Sequence, residues 1–201
     1  PDKIILAIAD CTGHGVPGAM MSMLGNNLLN SIIHDKEIHQ PDTILEMMHK
    51  EIIDILHKDQ TQISDSMEVA IVVIEKNKTR LHYAGAGIAL YYFADGNLQN
   101  IQPDKTSIGN TITAKQDFTL HTLDFETSTQ FYLSTDGYKD QFGGEENKKF
   151  GSKQFKSMLK ETASRPTREQ KEILTRRLYL WQKAAQEMQT DDITVLSFKL
   201  G

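Results

Sequence analysis

Three short apolar runs in this chain stop or start at aspartate. ILAIA runs into Asp10, FYLST runs into Asp136, and ITVLSF follows directly on Asp191 and Asp192. Short runs rich in Ile, Val and Phe, bounded by Gly and Asp, read as buried strands. A carboxylate at the end of a buried strand is costly unless something positive compensates it. Clustered carboxylates also repel one another, and a hard divalent cation is one cure. Oxygen-only ligands favour Mg²⁺ or Mn²⁺ over zinc. Glycines stand beside these acids at positions 13, 15 and 137, where they would let backbone approach closely.

The rest of the chain reads as α+β. Residues 3–9 are strand-like and pass through DCTGHG into a helical pattern from Val16 to about Asp35. In that helix Met20, Met23, Leu24, Leu28 and Ile32 recur at spacings of three and four, and Pro17 suits the first turn. Met21, Leu29 and Ile33 form a second apolar face, so the helix is expected to be covered on two sides. The methionines at 20, 21 and 23 are expected in the core, with partner binding as the alternative. A second helix covers about 42–57 and a polar connector follows. Strands are expected at 67–75, 80–87, 89–94, 117–125 and 130–135, with a hairpin signal at Asp95-Gly96. Residues 139–151, charged and Gly-rich, are expected to form a mobile, solvated loop, with a substrate flap as the alternative. Helices should follow at 152–162 and 167–188. The second opens on Thr167 and Gln170, a capping-box pattern, and carries the stripe Leu174, Leu178, Trp181, Ala185, Met188. A strand closes the chain. Helices early, antiparallel strands in the middle and helices late suit an α+β domain.

The 201 residues fit a single domain with a sizeable core. A net charge of −5 argues against nucleic acid, whose binders show a basic face. One cysteine, Cys11, excludes an internal disulfide framework and a zinc-type Cys cluster. Cytoplasmic residence is the expectation. No apolar run reaches the ~18 residues of a membrane span. Cys11 reads as inert, with a redox thiol as the alternative. His14 reads as a structural residue at the turn, with a ligand or general acid as the alternative. Gly85, Gly87 and Gly137 read as backbone-geometry residues.

The ordered set ADCTGHGVPGAMMSMLGNNLL, LHYAGAG, SIG, FYLSTDG, FG and QTDDITVLSF runs from about residue 3 to 199. It resembles the SpoIIE-type branch of metal-dependent protein serine/threonine phosphatases, bacterial relatives of the type-2C enzymes. The resemblance implies a four-layer αββα sandwich, two antiparallel sheets flanked by helices. It also implies two Mn²⁺ or Mg²⁺ ions, with Asp10 bridging both. The Cys11 backbone carbonyl would complete one shell, and Asp136 and Asp191 would hold metal as well. Asp191 is preferred to Asp192 because the family's ligand is the first of that acidic pair. These residues are the expected metal and catalytic set, acting by in-line attack of a metal-activated water on phosphoserine or phosphothreonine. The resemblance further implies a phosphoprotein substrate, with an anti-sigma-factor antagonist as one class, a linked sensor or membrane module, and a possible homodimer. It makes residues 16–57 a candidate regulatory switch.

Family members carry one more acidic residue, in a Gly-Asp motif on a strand ahead of the one that opens here. The chain starts Pro-Asp-Lys, without an initiator Met. The expectation is therefore a part of a longer protein, lacking its first strand or strands and one metal ligand, with weak metal binding and low activity in residues 1–201. That departure sustains a second reading, a catalytically inactive pseudophosphatase that serves as an interaction module. A nucleotide switch is disfavoured, because the chain has no Gly-x4-Gly-Lys-[Ser/Thr] loop.

Overall fold

The structure, a computed structural model, describes residues 3–13, 15–56, 65–76, 79–110, 117–126 and 128–200. His14 and most of the connector at 57–66 lie outside them. In chain order the elements are β1 (Lys3–Cys11), α1 (Gly15–Asn30) running into a π-helical turn (Ser31–Asp35), α2 (Pro41–Leu56), β2 (Met67–Glu75), β3 (Arg80–Ala86), β4 (Leu90–Ala94), β5 (Asn97–Ile101), β6 (His121–Asp124), β7 (Thr129–Ser134), α3 (Gly137–Asp140), β8 (Phe142–Gly143), β9 (Lys148–Lys149), α4 (Gly151–Thr162), α5 (Thr167–Ala185) and β10 (Val195–Leu200). The chain divides into two compact units, Pro1–Leu90 with Ile101–Glu126, and Tyr91–Asn100 with Thr127–Gly201. The expected α+β class, with two antiparallel sheets flanked by helices, is what forms. No helix among the described residues is long and apolar enough to cross a membrane.

The first unit is built on the antiparallel sheet β1-β2-β3-β6. Its centre is β2, whose run MEVAIVVIE is buried almost throughout. Val69, Ile71 and Val73 of β2 share a core with Ile44, Leu45, Met48 and Ile52 of α2, all almost fully buried. Burying each such side chain is worth ~1.5–3 kcal/mol, which fixes the phase of α2.

Helix α1 departs from the expected stripe. Its buried positions are Gly18, Met21, Gly25 and Leu28, continued by Ile32, while Met20 and Met23 are 66% and 67% exposed. The reason lies in two glycines. A Cβ on Gly18 would stand 2.7 Å from the Gly13 carbonyl oxygen, and one on Gly25 would stand 2.8 Å from the Met67 methyl. Close approach, not apolar side chains alone, sets this helix face.

The second unit is built on the sheet β10-β7-β4-β5. Tyr132 and Val195 pack with Phe155, Met158 and Leu159 of α4 and with Leu174, Leu178 and Trp181 of α5. Met188, expected to finish the α5 stripe, is 82% exposed, because α5 stops at Ala185 and Gln186 adopts left-handed backbone at φ 59°. The capping box at Thr167 does not form, and Pro166 occupies the N-cap. Gln170 is drawn instead into a buried network. It accepts from the Tyr132 hydroxyl at 2.9 Å and donates to Gln130 Oε1 at 3.2 Å and to the Arg165 carbonyl at 2.8 Å. Burial pushes the Tyr132 phenol up to about 12, so it serves the network as a neutral donor.

The segment expected as a solvated loop at 139–151 is folded. It contains the end of α3 and the small antiparallel pair β8–β9. Gly143 and Gly144 read as loop signals, yet they lie against Trp181. Gly144 N donates to the Trp181 carbonyl at 2.8 Å, and a Cβ on Gly143 would stand 2.3 Å from that same oxygen.

His49 of α2 is buried, accepts the Gly109 amide hydrogen at Nδ1 at 3.1 Å, and meets Phe118 edge-on. Burial lowers its imidazole below the ordinary value. The unfolded imidazole takes up a proton near pH ~6.5 and the folded one only at lower pH, so the associated stability is present above ~6.5 and is lost as pH falls through the folded value. Denaturant unfolding should therefore show stability declining as pH drops from about 7 towards 5, and His49→Asn should flatten that decline. Parallel pH profiles for the two proteins would contradict the assignment.

Candidate functional site

In the first unit the sequence-derived residues Asp10 and Cys11 close β1, in register with Glu68 and Met67 of β2. Antiparallel partners place side chains on one face with Cβ atoms ~4.5–5.5 Å apart. Asp10 and Glu68 therefore present two carboxylates side by side. The chain then turns through Thr12, whose N–H and hydroxyl both donate to the Ser66 carbonyl at 2.9 Å. Gly13 follows at φ 89° and Gly15 at φ 68°, in left-handed backbone that only glycine adopts without strain. This double clamp and double glycine explain how a strand can end on an acid and enter a helix within four residues. The Cys11 thiol accepts a hydrogen bond from Ser22 of α1 at 3.5 Å. Its side chain is thus engaged with α1.

In the second unit Asp136 and Asp191 come to one end of the β7–β10 pair. Asp136 follows β7 by way of Thr135 and starts α3 without making a side-chain cap. Asp191 lies ahead of β10, and its carboxylate accepts from the Asp192 amide at 2.8 Å. The two segments are joined by Thr135, whose N–H donates to the Thr194 carbonyl at 3.1 Å and whose hydroxyl accepts from Thr194 N at 3.2 Å. Gly137 allows the approach, since a Cβ there would stand 1.9 Å from the Asp192 carbonyl oxygen.

Lys149 of β9 is ion-paired to Asp140 at 2.8 Å. The Asp140 carboxylate holds the Lys149 ammonium above its ordinary value, and Asp136 and Asp191 add to that effect. All three carboxylates thus act on one ammonium group.

Among the described residues no three His, Cys, Asp or Glu side chains group as a metal site. What each unit supplies is a pair of acids, Asp10 with Glu68 in the first and Asp136 with Asp191 in the second. In kind these donors fit a hard divalent cation, being oxygen ligands with no nitrogen or sulfur side chain among them. Sequence reasoning missed Glu68, whose signal was an acid at the mouth of an otherwise apolar strand. It missed Lys149, whose place beside Asp140 comes from the folded β8–β9 turn and leaves no signal in the sequence.

Comparison with known proteins follows the same outline. The model of the family described as stage II sporulation protein E (SpoIIE) matches residues 1–201. The SiaA-PP2C domain of Pseudomonas aeruginosa is similar at 33% identity and TM-score 0.88, over 100% of this chain and 77% of that one. The RsbU and RsbW domains of Rv1364c from Mycobacterium tuberculosis share the fold at 21% identity and TM-score 0.71, over 99% of this chain and 52% of that one. The catalytic domain of the serine/threonine protein phosphatase PstP, in complex with two manganese ions, shares it at 17% identity and TM-score 0.64, over 98% of this chain and 88% of that one. No curated protein sequence matches significantly.

Gly137→Ala tests the close approach between the two acidic segments. It should lower unfolding free energy by ~1–3 kcal/mol, the usual cost of overpacking, as measured by denaturant titration. Unchanged stability would mean that the backbones are not held together as described.

Proposed function

The chain belongs to the SpoIIE family, and from that premise we propose that residues 1–201 form one protein serine/threonine phosphatase domain that depends on Mn²⁺ or Mg²⁺. The observation that carries this reading is the family match along the whole chain. The likeness to a manganese-loaded phosphatase domain supports the choice of metal.

In this reading Asp136 and Asp191 hold metal through their carboxylates, Asp10 does so from the end of β1, and Cys11 contributes its backbone carbonyl. Bound there, the dications supply positive charge that polarises a phosphoryl oxygen and lowers the pKa of water. The chain's own residues do the rest. Asp136 and Asp191 offer the oxygen donors for that role, and the Lys149 ammonium stands in their electrostatic field. That ammonium is also placed to attract a phosphate dianion. The substrate is a phosphoserine or phosphothreonine side chain of a protein, and water displaces the serine or threonine hydroxyl from phosphorus. An anti-sigma-factor antagonist is the substrate class the family resemblance suggests, with the domain working in the bacterial cytoplasm beside a sensor module.

A second reading, an inactive interaction module, draws on one observation. Among the described residues no three acids group as a metal site.

Mn²⁺-dependent hydrolysis of p-nitrophenyl phosphate by the complete protein separates the two. Activity should be strictly metal-dependent, and Asp136→Asn should lower it by more than ~100-fold, as expected for loss of a metal ligand. Equal rates for wild type and variant would remove Asp136 from the chemistry. Absence of metal-dependent turnover in the complete wild-type protein would favour the interaction module.

A further inference from the structure

The side chain of Gln141 stands out in the second unit. It follows α3, it is completely buried, and every hydrogen-bonding position of its amide is used. Nε2 donates to the Gly137 carbonyl at 2.9 Å and to the Asp191 carbonyl at 3.3 Å. Oε1 accepts from Thr190 N at 3.0 Å and from Gln182 Nε2 at 3.1 Å. Its own backbone carbonyl accepts from Phe150 N at 2.9 Å and from the Trp181 indole at 3.3 Å. One amide thus ties the turn that carries Asp136 to the segment that carries Asp191, and both to α5.

We propose that Gln141 is a positioning residue for the metal-binding carboxylates, setting Asp191 against Asp136. This rests on the reading of those aspartates as metal ligands. Asp191 needs such support because β10 begins only at Val195, so no sheet ladder reaches it. Its carbonyl is held by Gln141 and by Gln189 Nε2 at 2.9 Å, and the amide one residue earlier is held by Gln141 again. An apolar side chain of equal size would fill the space but strand the Thr190 N–H and the Gly137 carbonyl, a cost that an amide avoids. A glutamate would set one of its oxygens against the Gly137 and Asp191 carbonyl oxygens. Only a primary amide of this reach offers two donors and two acceptors at once. Partners of this kind orient metal ligands without touching the metal.

The test uses the complete protein with Mn²⁺ as the probe, its binding followed by electron paramagnetic resonance. Gln141→Met, which keeps the volume and removes all four bonds, should bind Mn²⁺ ~10–100-fold more weakly, the usual effect of losing an outer partner. At saturating Mn²⁺ its kcat should return to within about threefold of wild type, because the ligands themselves remain. Without metal, the Asp192 amide should exchange hydrogen faster in the variant while amides within α4 keep their protection. Mn²⁺ affinity within about twofold of wild type, alongside a loss in Asp136→Asn, would overturn the positioning role and leave the metal reading intact. Unchanged Mn²⁺ affinity in Asp136→Asn as well would overturn the metal reading, and this inference with it. If Gln141→Met does not fold, Gln182→Met removes one of the four bonds from a partly exposed position. It should weaken Mn²⁺ binding by about threefold, and no change would count against the proposal.

Discussion

Like charges held side by side are the constraint on which the second unit depends. Asp136 and Asp191 are brought to one end of the β7–β10 pair, where like charges repel at a cost to the fold. The fold meets that cost in two ways. Lys149, pinned by Asp140, sets a positive charge beside them. Backbone packing of the kind seen at Gly137, with no room for a side chain against the Asp192 carbonyl, holds the segments in place against repulsion. The helices follow from this need. Without α5, Gln141 would lose Gln182 and Trp181, and the acidic segment would lose its indirect tie to the core.

The first unit solves a related problem with other means. Its acidic pair, Asp10 and Glu68, stands at the end of a sheet whose interior is uniformly apolar. The turn after Asp10 is set by Thr12 on Ser66 and by two glycines in left-handed backbone. Gly18 then lets α1 sit directly on that turn. Movement of α1 would therefore press on the loop beside Asp10. The exposed methionines on the same helix, Met20 and Met23, leave its outer side free of the core.

Much of this was legible in the sequence, and for physical reasons. Strands β2, β7 and β10 are short apolar runs bounded by turn residues, and α2 shows a regular buried stripe from Ile44 to Ile52. Asp10, Asp136 and Asp191 could be singled out because an acid abutting such a run is chemically conspicuous. What stayed hidden depends on contacts between distant residues. The phase of α1 turns on glycines, which carry no hydrophobic signal. Gly143 and Gly144 look like loop residues but exist to admit Trp181. Gln170 fits a capping box by spacing, yet a buried tyrosine 38 positions away holds it elsewhere. Gln141 sits in an unremarkable polar stretch, and its partners Asp191 and Gln182 lie 50 and 41 residues along the chain.

The central claim is that the acids at the strand ends are dication ligands. Anomalous X-ray scattering at the manganese edge, from crystals of the complete protein grown with Mn²⁺, tests it most directly. The account predicts manganese bonded to carboxylate oxygens of both Asp136 and Asp191. Manganese bound elsewhere, with those two carboxylates paired only to Lys149 or to water, would contradict it.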